Sequence, residues 1–348
     1  MIKETPPIRV MMLPNSSRQG GNPFVGLLVD NLNPHISTVP FTWKTAFTGK
    51  YDVFHAHWPE YLLQANSRVS RFLRLFAFSF IRPVLTLRGK PIVVTVHNLQ
   101  AHSGVGRAQE RLTTKFREAA DLRVFLNEFD LSNAAYREGD VVIPHGDYGR
   151  VIAPFRSEVS AIAATPGRVL LFGGLRANKG ISMLIDSFSE IDDSNLSLQI
   201  CGRAQDPGFL QRLATLVSAD QRVTLEAREL QDRELAIRIR EAQLIALPYP
   251  DLYNSGALFM ALTLGRPVLV PDSPTARELQ QEFGGDRVHL FQGKLTGSVV
   301  ASALSGTIVS DDSIPEHLGE RREWTRIGRA YTEIYSKVLK LRSETQVS

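Results

Sequence analysis

The sequence predicts an α/β protein made of two doubly wound parallel sheets in tandem. Short apolar runs alternate with amphipathic helical patterns from end to end, as they do where helices cover parallel strands. The chain has 348 residues, more than one ordinary core holds, so two domains of roughly 150–200 residues are expected. Between the two halves, residues 149–167 lack periodicity and hold Pro154 and Pro166, which reads as a linker.

In the first half the strands are expected at 8–13 (IRVMML), 51–57, 91–97, 122–127 and 140–145. Helical patterns lie near 23–33, 60–87, 107–119 and 129–137. The second half repeats the rhythm, with strands at 168–173, 196–202, 222–227, 243–249, 267–272 and 287–291. Helices near 180–190, 207–217, 231–241, 255–264, 274–283 and 297–305 fill the gaps. A last helix over 319–343 carries Trp324, Ile327, Tyr331, Ile334, Tyr335 and Val338 at helical spacing.

Composition narrows the class. Hydrophobic residues make up 43% and charged residues 22%, the balance of a globular protein without disordered tracts. The net charge of +4 fits anionic partners of many kinds and does not call for nucleic acid. The single cysteine, Cys201, excludes an internal disulfide framework and a cysteine-cluster metal site, which suits a reducing cytoplasm. No apolar h-region follows Met1, and no uncharged apolar run approaches the ~20 residues that span a bilayer.

Ligands of doubly wound sheets bind where the carboxyl ends of the strands gather their loops, so the chemistry is sought there. In 168-RVLLFGGLRANKG-180, Gly173 and Gly174 allow a sharp turn after a strand, and Gly180 opens a helix. Arg176 and Lys179 add donors and positive charge suited to a diphosphate. In the loop after the strand ending at Tyr249, Asn254, Ser255 and Gly256 stand at the start of an Ala/Leu/Met helix, offering a second anion-ready terminus. Either motif alone is also what a plain capped surface helix shows; two at neighbouring strand ends point to one ligand. Neither is a Walker phosphate loop, and the dinucleotide G-x-G-x-x-G fingerprint is missing.

The first half supplies the glycine pair Gly20–Gly21 after the first strand, 55-HAHWPEY-61 and 95-TVHNLQAHSG-104. His55, His57, His97 and His102 thus stand at strand ends or just beyond. Paired histidines at i, i+2 raise zinc, but no further acidic or cysteine ligand stands at a metal-site spacing. Hydrogen-bonding histidines lining a polar pocket fit better. Glu60, beside His57, is a carboxylate within reach of the same pocket and a candidate general base.

Taken in order, the motifs YDVFHAH, PIVVTVHN, VIPHGDY, LLFGGLRANKG and NSGALFMALTLGRPVLVPD resemble the GT-B glycosyltransferases along nearly the whole chain. Within that fold the chain looks most like the bacterial exopolysaccharide β-mannosyltransferases of xanthan type, the GDP-mannose:glycolipid β-1,4-mannosyltransferase family. The resemblance implies two Rossmann-like domains facing a cleft. Residues 1–150 would hold the acceptor, 168–318 the nucleotide-sugar, and 319–348 would form a helix packing back on the first domain. Lys179 matches the family lysine and Gly180 its glycine, and Arg176 stands two residues beyond the family arginine position. With Gly20, Gly21, His97, Gly174, Tyr249, Asn254, Ser255 and Gly256 they make the expected donor site. Retaining relatives carry two glutamates eight positions apart; here Leu252 and Met260 stand at those places, which favours inversion. Inversion needs a base for the acceptor hydroxyl; the candidates are Glu60, His57 and Asp30, with Glu60 ranked ahead of the other two.

The expected reaction is therefore metal-independent inverting transfer, without a cofactor, from GDP-mannose to a polyprenyl-diphosphate-linked oligosaccharide. A retaining transfer from a UDP-hexose, and a non-catalytic sugar- or nucleotide-binding protein, are the alternatives. The segment 68-RVSRFLRLFAFSFIRPVLTLRGK-90 mixes arginines with aromatics, suiting an interfacial helix on anionic lipid. The expected location is cytoplasmic, on the inner face of the plasma membrane.

Overall fold

The structure, a computed structural model, describes residues 6–14, 23–63, 67–98, 106–128, 136–249, 253–307 and 313–347. The chain divides into two compact units, one comprising Met1–Gly146 with Glu320–Ser348 and the other Asp147–Gly319.

The first unit holds strands β1 (Ile8–Leu13), β2 (Ile36–Pro40), β3 (Val53–Ala56), β4 (Ile92–Val96), β5 (Leu122–Phe125) and β6 (Val141–Val142). They form one parallel sheet in the order β2-β1-β3-β4-β5-β6. Every residue of β3, β4 and β5 is buried, which is why these strands show no polar alternation; the polar residues among them, His55, Thr95 and Arg123, are hydrogen-bonded within the unit. Helices α1 (Phe24–Val29), α2 (Trp43–Thr48), α3 (Arg68–Leu87) and α4 (Arg107–Glu118) connect them. Thr42 and Ser67 cap α2 and α3 by accepting from Thr45 and Ser70 amides. Phe54, Phe78, Leu85, Val94 and Phe116 meet in the core beneath α3 and α4.

Strand β2 is an addition to the sequence reading. It sits at the sheet edge, its burial alternates, and it ends in Pro40, which lacks the amide a central strand needs. The expected strand over 140–145 pairs only at Val141–Val142. Of the helix expected over 129–137, residues 129–135 lie outside the described residues.

The second unit begins with the segment read as a linker. It folds as the short helices α5 (Gly149–Ile152) and α6 (Arg156–Ser160), anchored by buried Ile152 and Val159. Their brevity hid them from a periodicity count. Strands β7 (Thr165–Phe172), β8 (Ser197–Cys201), β9 (Val223–Glu226), β10 (Ala242–Ala246), β11 (Val268–Pro271) and β12 (Val288–Phe291) follow. They form a second parallel sheet in the order β12-β11-β10-β7-β8-β9. Helices α7 (Ile181–Ser189), α8 (Pro207–Val217), α9 (Asp232–Glu241), α10 (Gly256–Thr263), α11 (Pro274–Phe283) and α12 (Gly297–Gly306) cover it.

The last helix, α13 (Trp324–Val347), belongs to the first unit. It packs on α1 so closely that a Cβ at Gly328 would lie 1.9 Å from the Asn31 carbonyl oxygen. The Trp324 indole occupies the space where Gly146 lacks a side chain, and Arg322 donates to the His145 carbonyl at 2.9 Å.

Candidate active site

In the second sheet the chain leaves β7 toward β8 and β9, then crosses back to place β10 on the other side of β7. The carboxyl ends of β7 and β10 are thus the topological switch point, where such sheets open a crevice. Two loops reach it. After β7, Gly173 turns with φ +112°, and its loop runs beside the one after β8. Gly173 N donates to Cys201 O at 3.1 Å and Leu175 N to Arg203 O at 2.9 Å. A Cβ on Gly202 would fall 1.8 Å from Gly173 O, so that position is closed to any side chain.

Ala177–Lys179 form a single 3₁₀ turn, and Gly180 caps α7 in the left-handed region at φ +66°. Gly180 therefore precedes the helix instead of beginning it. A side chain there would lie 2.5 Å from the Pro248 carbonyl oxygen, so the glycine brings this loop against the one after β10. The contact sets Lys179 Nζ 3.6 Å from the centroid of the Tyr249 ring. Tyr249 shares a hydrogen bond with the Ser255 hydroxyl, and Ser255 caps α10 by accepting from Leu258 N at 3.3 Å. Burial pushes the Tyr249 phenol up to about 12, so it remains a neutral hydrogen-bonding group. The Asn254 side-chain nitrogen is buried without a hydrogen-bond partner among the described residues. Gly174 and Arg176 are exposed beside this group.

Of the expected donor residues, the fold thus draws Lys179, Tyr249, Ser255 and Gly256 into one place. Tyr148 joins them: its hydroxyl lies 2.6 Å from where a Gly256 Cβ would stand, and its amide donates to Thr263 Oγ1 on α10. Sequence reasoning quoted the VIPHGDY motif without seeing that its tyrosine reaches the start of α10. A cation, a hydroxyl pair and the free amides of a helix start are what a diphosphate needs.

In the first unit the switch lies between β1 and β3, and histidines gather at the strand ends. His57 follows β3 directly and its amide is bound by Leu13 O at 2.8 Å. Its Nδ1 meets His97 Nε2 at 3.1 Å, and Trp58 stacks on His97 with centroids 4.0 Å apart. The Phe24 ring meets His57, His97, His145 and Trp324 edge-on. Beneath them His55 bonds Tyr335 through Nδ1 at 2.7 Å and Thr95 through Nε2 at 2.9 Å, and Thr95 also meets Tyr331. Burial lowers His57 to about 3 and His145 to about 4, and holds His55 well below the usual imidazole value. All three are neutral at physiological pH.

Glu60 stands in the 3₁₀ turn Pro59–Leu63 and is buried. Burial raises its carboxyl above the usual value, against the pull of Arg117, whose Nη2 lies 3.9 Å away. Arg117 also donates to the Asn98 carbonyl at 2.9 Å, tying Glu60 to the loop behind His97. Nothing in the ordinary charge pattern of 107–118 pointed to this arginine. Asp30 is set apart: it is exposed and caps the far end of α1, a helix length of about 9 Å from the strand ends. Gly20, Gly21 and His102 lie outside the described residues.

No family model matches the chain. It is 28% identical over 334 residues to a GDP-mannose:glycolipid 4-beta-D-mannosyltransferase of Xanthomonas campestris pv. campestris, across 96% of this chain and 93% of that protein. Among solved structures it resembles a sucrose-phosphate synthase from Thermosynechococcus elongatus, with TM-score 0.63 and 16% identity over 96% of this chain and all of that one. HepE from Anabaena, solved with UDP, gives TM-score 0.57 and 15% identity over 98% of this chain and 99% of that one.

The chain is a GT-B glycosyltransferase.

A glycosyltransferase must hold a charged leaving group and must present a hydroxyl to a sugar carbon. In this glycosyltransferase the cation and helix starts belong to the second unit, and the neutral imidazoles to the first.

Proposed function

We propose that the enzyme transfers mannose from GDP-mannose, with inversion, to a polyprenyl-diphosphate-linked oligosaccharide in exopolysaccharide assembly. The observation that carries this is the 28% identity to a GDP-mannose:glycolipid mannosyltransferase over 96% of the chain. The second unit takes the nucleotide-sugar, with its diphosphate against Lys179, Arg176, Tyr249 and the Asn254–Gly256 start of α10. The first unit takes the acceptor, with His97 on the transferred sugar and the base drawn from the Glu60–His57 cluster. Substitution of Leu252 and Met260 for the glutamate pair of retaining relatives favours single displacement.

Helix α3 supports a lipid-linked acceptor. Val69, Phe72, Leu73, Phe76 and Phe80 are exposed along one stripe, on the opposite side of the helix from buried Phe78, Ile81 and Leu85. The outward face is apolar, with exposed Arg71 and Arg82 nearer the core-facing side. Among the described residues no helix is long and apolar enough to cross a membrane, so the stripe suits an anionic bilayer surface. On this reading the enzyme works at the inner face of the plasma membrane.

A second reading, retaining transfer from a UDP-hexose, draws on the solved Anabaena structures with UDP and UDP-glucose. Incubation with GDP-mannose or UDP-hexoses and a polyprenyl-diphosphate oligosaccharide, with and without EDTA, decides between them. A β-mannoside by NMR coupling at C1, formed equally in EDTA, is the expected product. An α-linked product, or a need for a divalent ion, overturns inversion or metal independence respectively.

A further inference from the structure

We propose that His57 takes up, at Nε2, the proton of the acceptor hydroxyl, oriented by the hydrogen bond from its Nδ1 to His97; this rests on the transfer reading above. The two histidines of HAH share a strand face but not a role. His55 has both ring nitrogens bonded, to Tyr335 at 2.7 Å and Thr95 at 2.9 Å, and is held in the core. His57 is equally buried, 1% exposed, yet its Nε2 has no hydrogen-bond partner among the described residues. Buried polar atoms without a partner are rare in native proteins and cluster where chemistry is done. The bond that the fold withholds is the one His57 is set to make with a hydroxyl.

The position is fixed from several sides. Leu13 O accepts from the His57 amide at the end of β1, and the Phe24 and His55 ring centroids lie 5.5 and 4.2 Å from that of His57. The contact of 3.1 Å with His97 Nε2 requires one imidazole to donate. With His57 Nδ1–H as the donor, Nε2 carries the lone pair. Burial keeps the ring uncharged at physiological pH, so Nε2 is available to accept a proton. Glu60 has a different task, since its carboxylate faces Arg117, which braces the loop after His97.

The step balances. The acceptor oxygen forms its bond to C1 of the donor sugar while the bond from C1 to the phosphate oxygen breaks. That bond's electron pair leaves with the nucleoside diphosphate. The hydroxyl proton passes to His57 Nε2, and the imidazolium so formed shares its Nδ1 proton with His97 Nε2.

The experiment compares His57→Gln with Glu60→Gln on whichever nucleotide-sugar the wild-type enzyme turns over. His57→Gln is expected to lower kcat by at least about 10²-fold, with nucleoside-diphosphate affinity by calorimetry unchanged and a smaller loss in Glu60→Gln. Nitrogen-15 spectra of the wild-type protein are expected to show His57 protonated at Nδ1 and bare at Nε2 between pH 6 and 8. A loss under 10²-fold, a larger loss in Glu60→Gln, or a proton on Nε2 overturns the proposal. Absence of any turnover by wild type removes the transfer reading instead, and the nitrogen spectrum then still decides the tautomer; it also decides if His57→Gln fails to fold.

Discussion

The Lys179 ammonium stands over the Tyr249 ring, 3.6 Å from its centroid, although 70 positions separate the two in the sequence. The contact joins the loops after β7 and β10, and it exists because Gly180 leaves room for the Pro248 carbonyl. A cation held on this aromatic face adds positive charge beside the start of α10, where an anion is favoured.

Lys179→Ala is therefore expected to weaken nucleoside-diphosphate binding by ~1.5–3 kcal/mol, the scale of a charge-assisted hydrogen bond. Calorimetry with GDP measures it. Tyr249→Phe keeps the ring under the ammonium and loses only the bond to Ser255, so its effect is expected to be smaller. Unchanged affinity in Lys179→Ala would take the lysine out of the site.

Burial lowers the pKa values of His55, His57 and His145 in the first unit. The unfolded chain accepts protons near pH 6.5 that the native unit refuses, so stability is full above that pH and lost as pH falls. The window runs from about 6.5 down to about 4 for His145 and about 3 for His57. Each histidine adds a slope of up to about 1.4 kcal/mol per pH unit. Urea midpoints at pH 7.5, 6 and 5 are expected to fall steeply below pH 6, above the range where carboxylates titrate. A flat profile from 7.5 to 5 would mean that these imidazoles are not buried neutral.

Strands buried on both faces announced themselves in the sequence, as VVTV and VLLF show, because their positions are apolar or β-branched without the alternation of a half-exposed strand. The edge strand Ile36–Pro40 and the helices at 149–160 did not, since half-exposed five-residue elements leave too few positions for a period to emerge. Lys179 and Ser255 were legible as local loop chemistry. Tyr148 and Arg117 were not, because their relevance comes from contacts with Gly256 and Glu60 that only the tertiary fold creates. That Asp30 caps the C-terminal end of α1 was likewise a matter of helix placement, which its position in the sequence does not announce.

The apolar stripe on α3 gives a third prediction. Wild-type protein is expected to co-sediment with vesicles rich in anionic lipid, and less so in neutral vesicles or high salt. Phe72→Ser/Phe76→Ser should abolish recovery at any salt, because both side chains are exposed and their loss costs the fold little. Arg71→Glu should weaken recovery mainly at low salt. Equal recovery of wild type and the double variant would exclude α3 as the contact.

The C-terminal helix offers the last test. Tyr335 donates to or accepts from His55 Nδ1 at 2.7 Å in a fully buried setting, whereas the Tyr331 hydroxyl bonds Thr95, which His55 already engages. Tyr335→Phe leaves a buried ring nitrogen without its partner, so it is expected to cost about 1–3 kcal/mol. Tyr331→Phe leaves Thr95 bonded to His55 and is expected to cost about 0.5–1.5 kcal/mol. Urea denaturation at pH 7.5 measures both, away from the acid window of the histidines. A double-mutant cycle between Tyr335→Phe and Thr95→Val should show coupling, since both side chains fix the same imidazole. If Tyr331→Phe proves the costlier change, or the cycle is additive, His55 is not the link that ties α13 to the sheet.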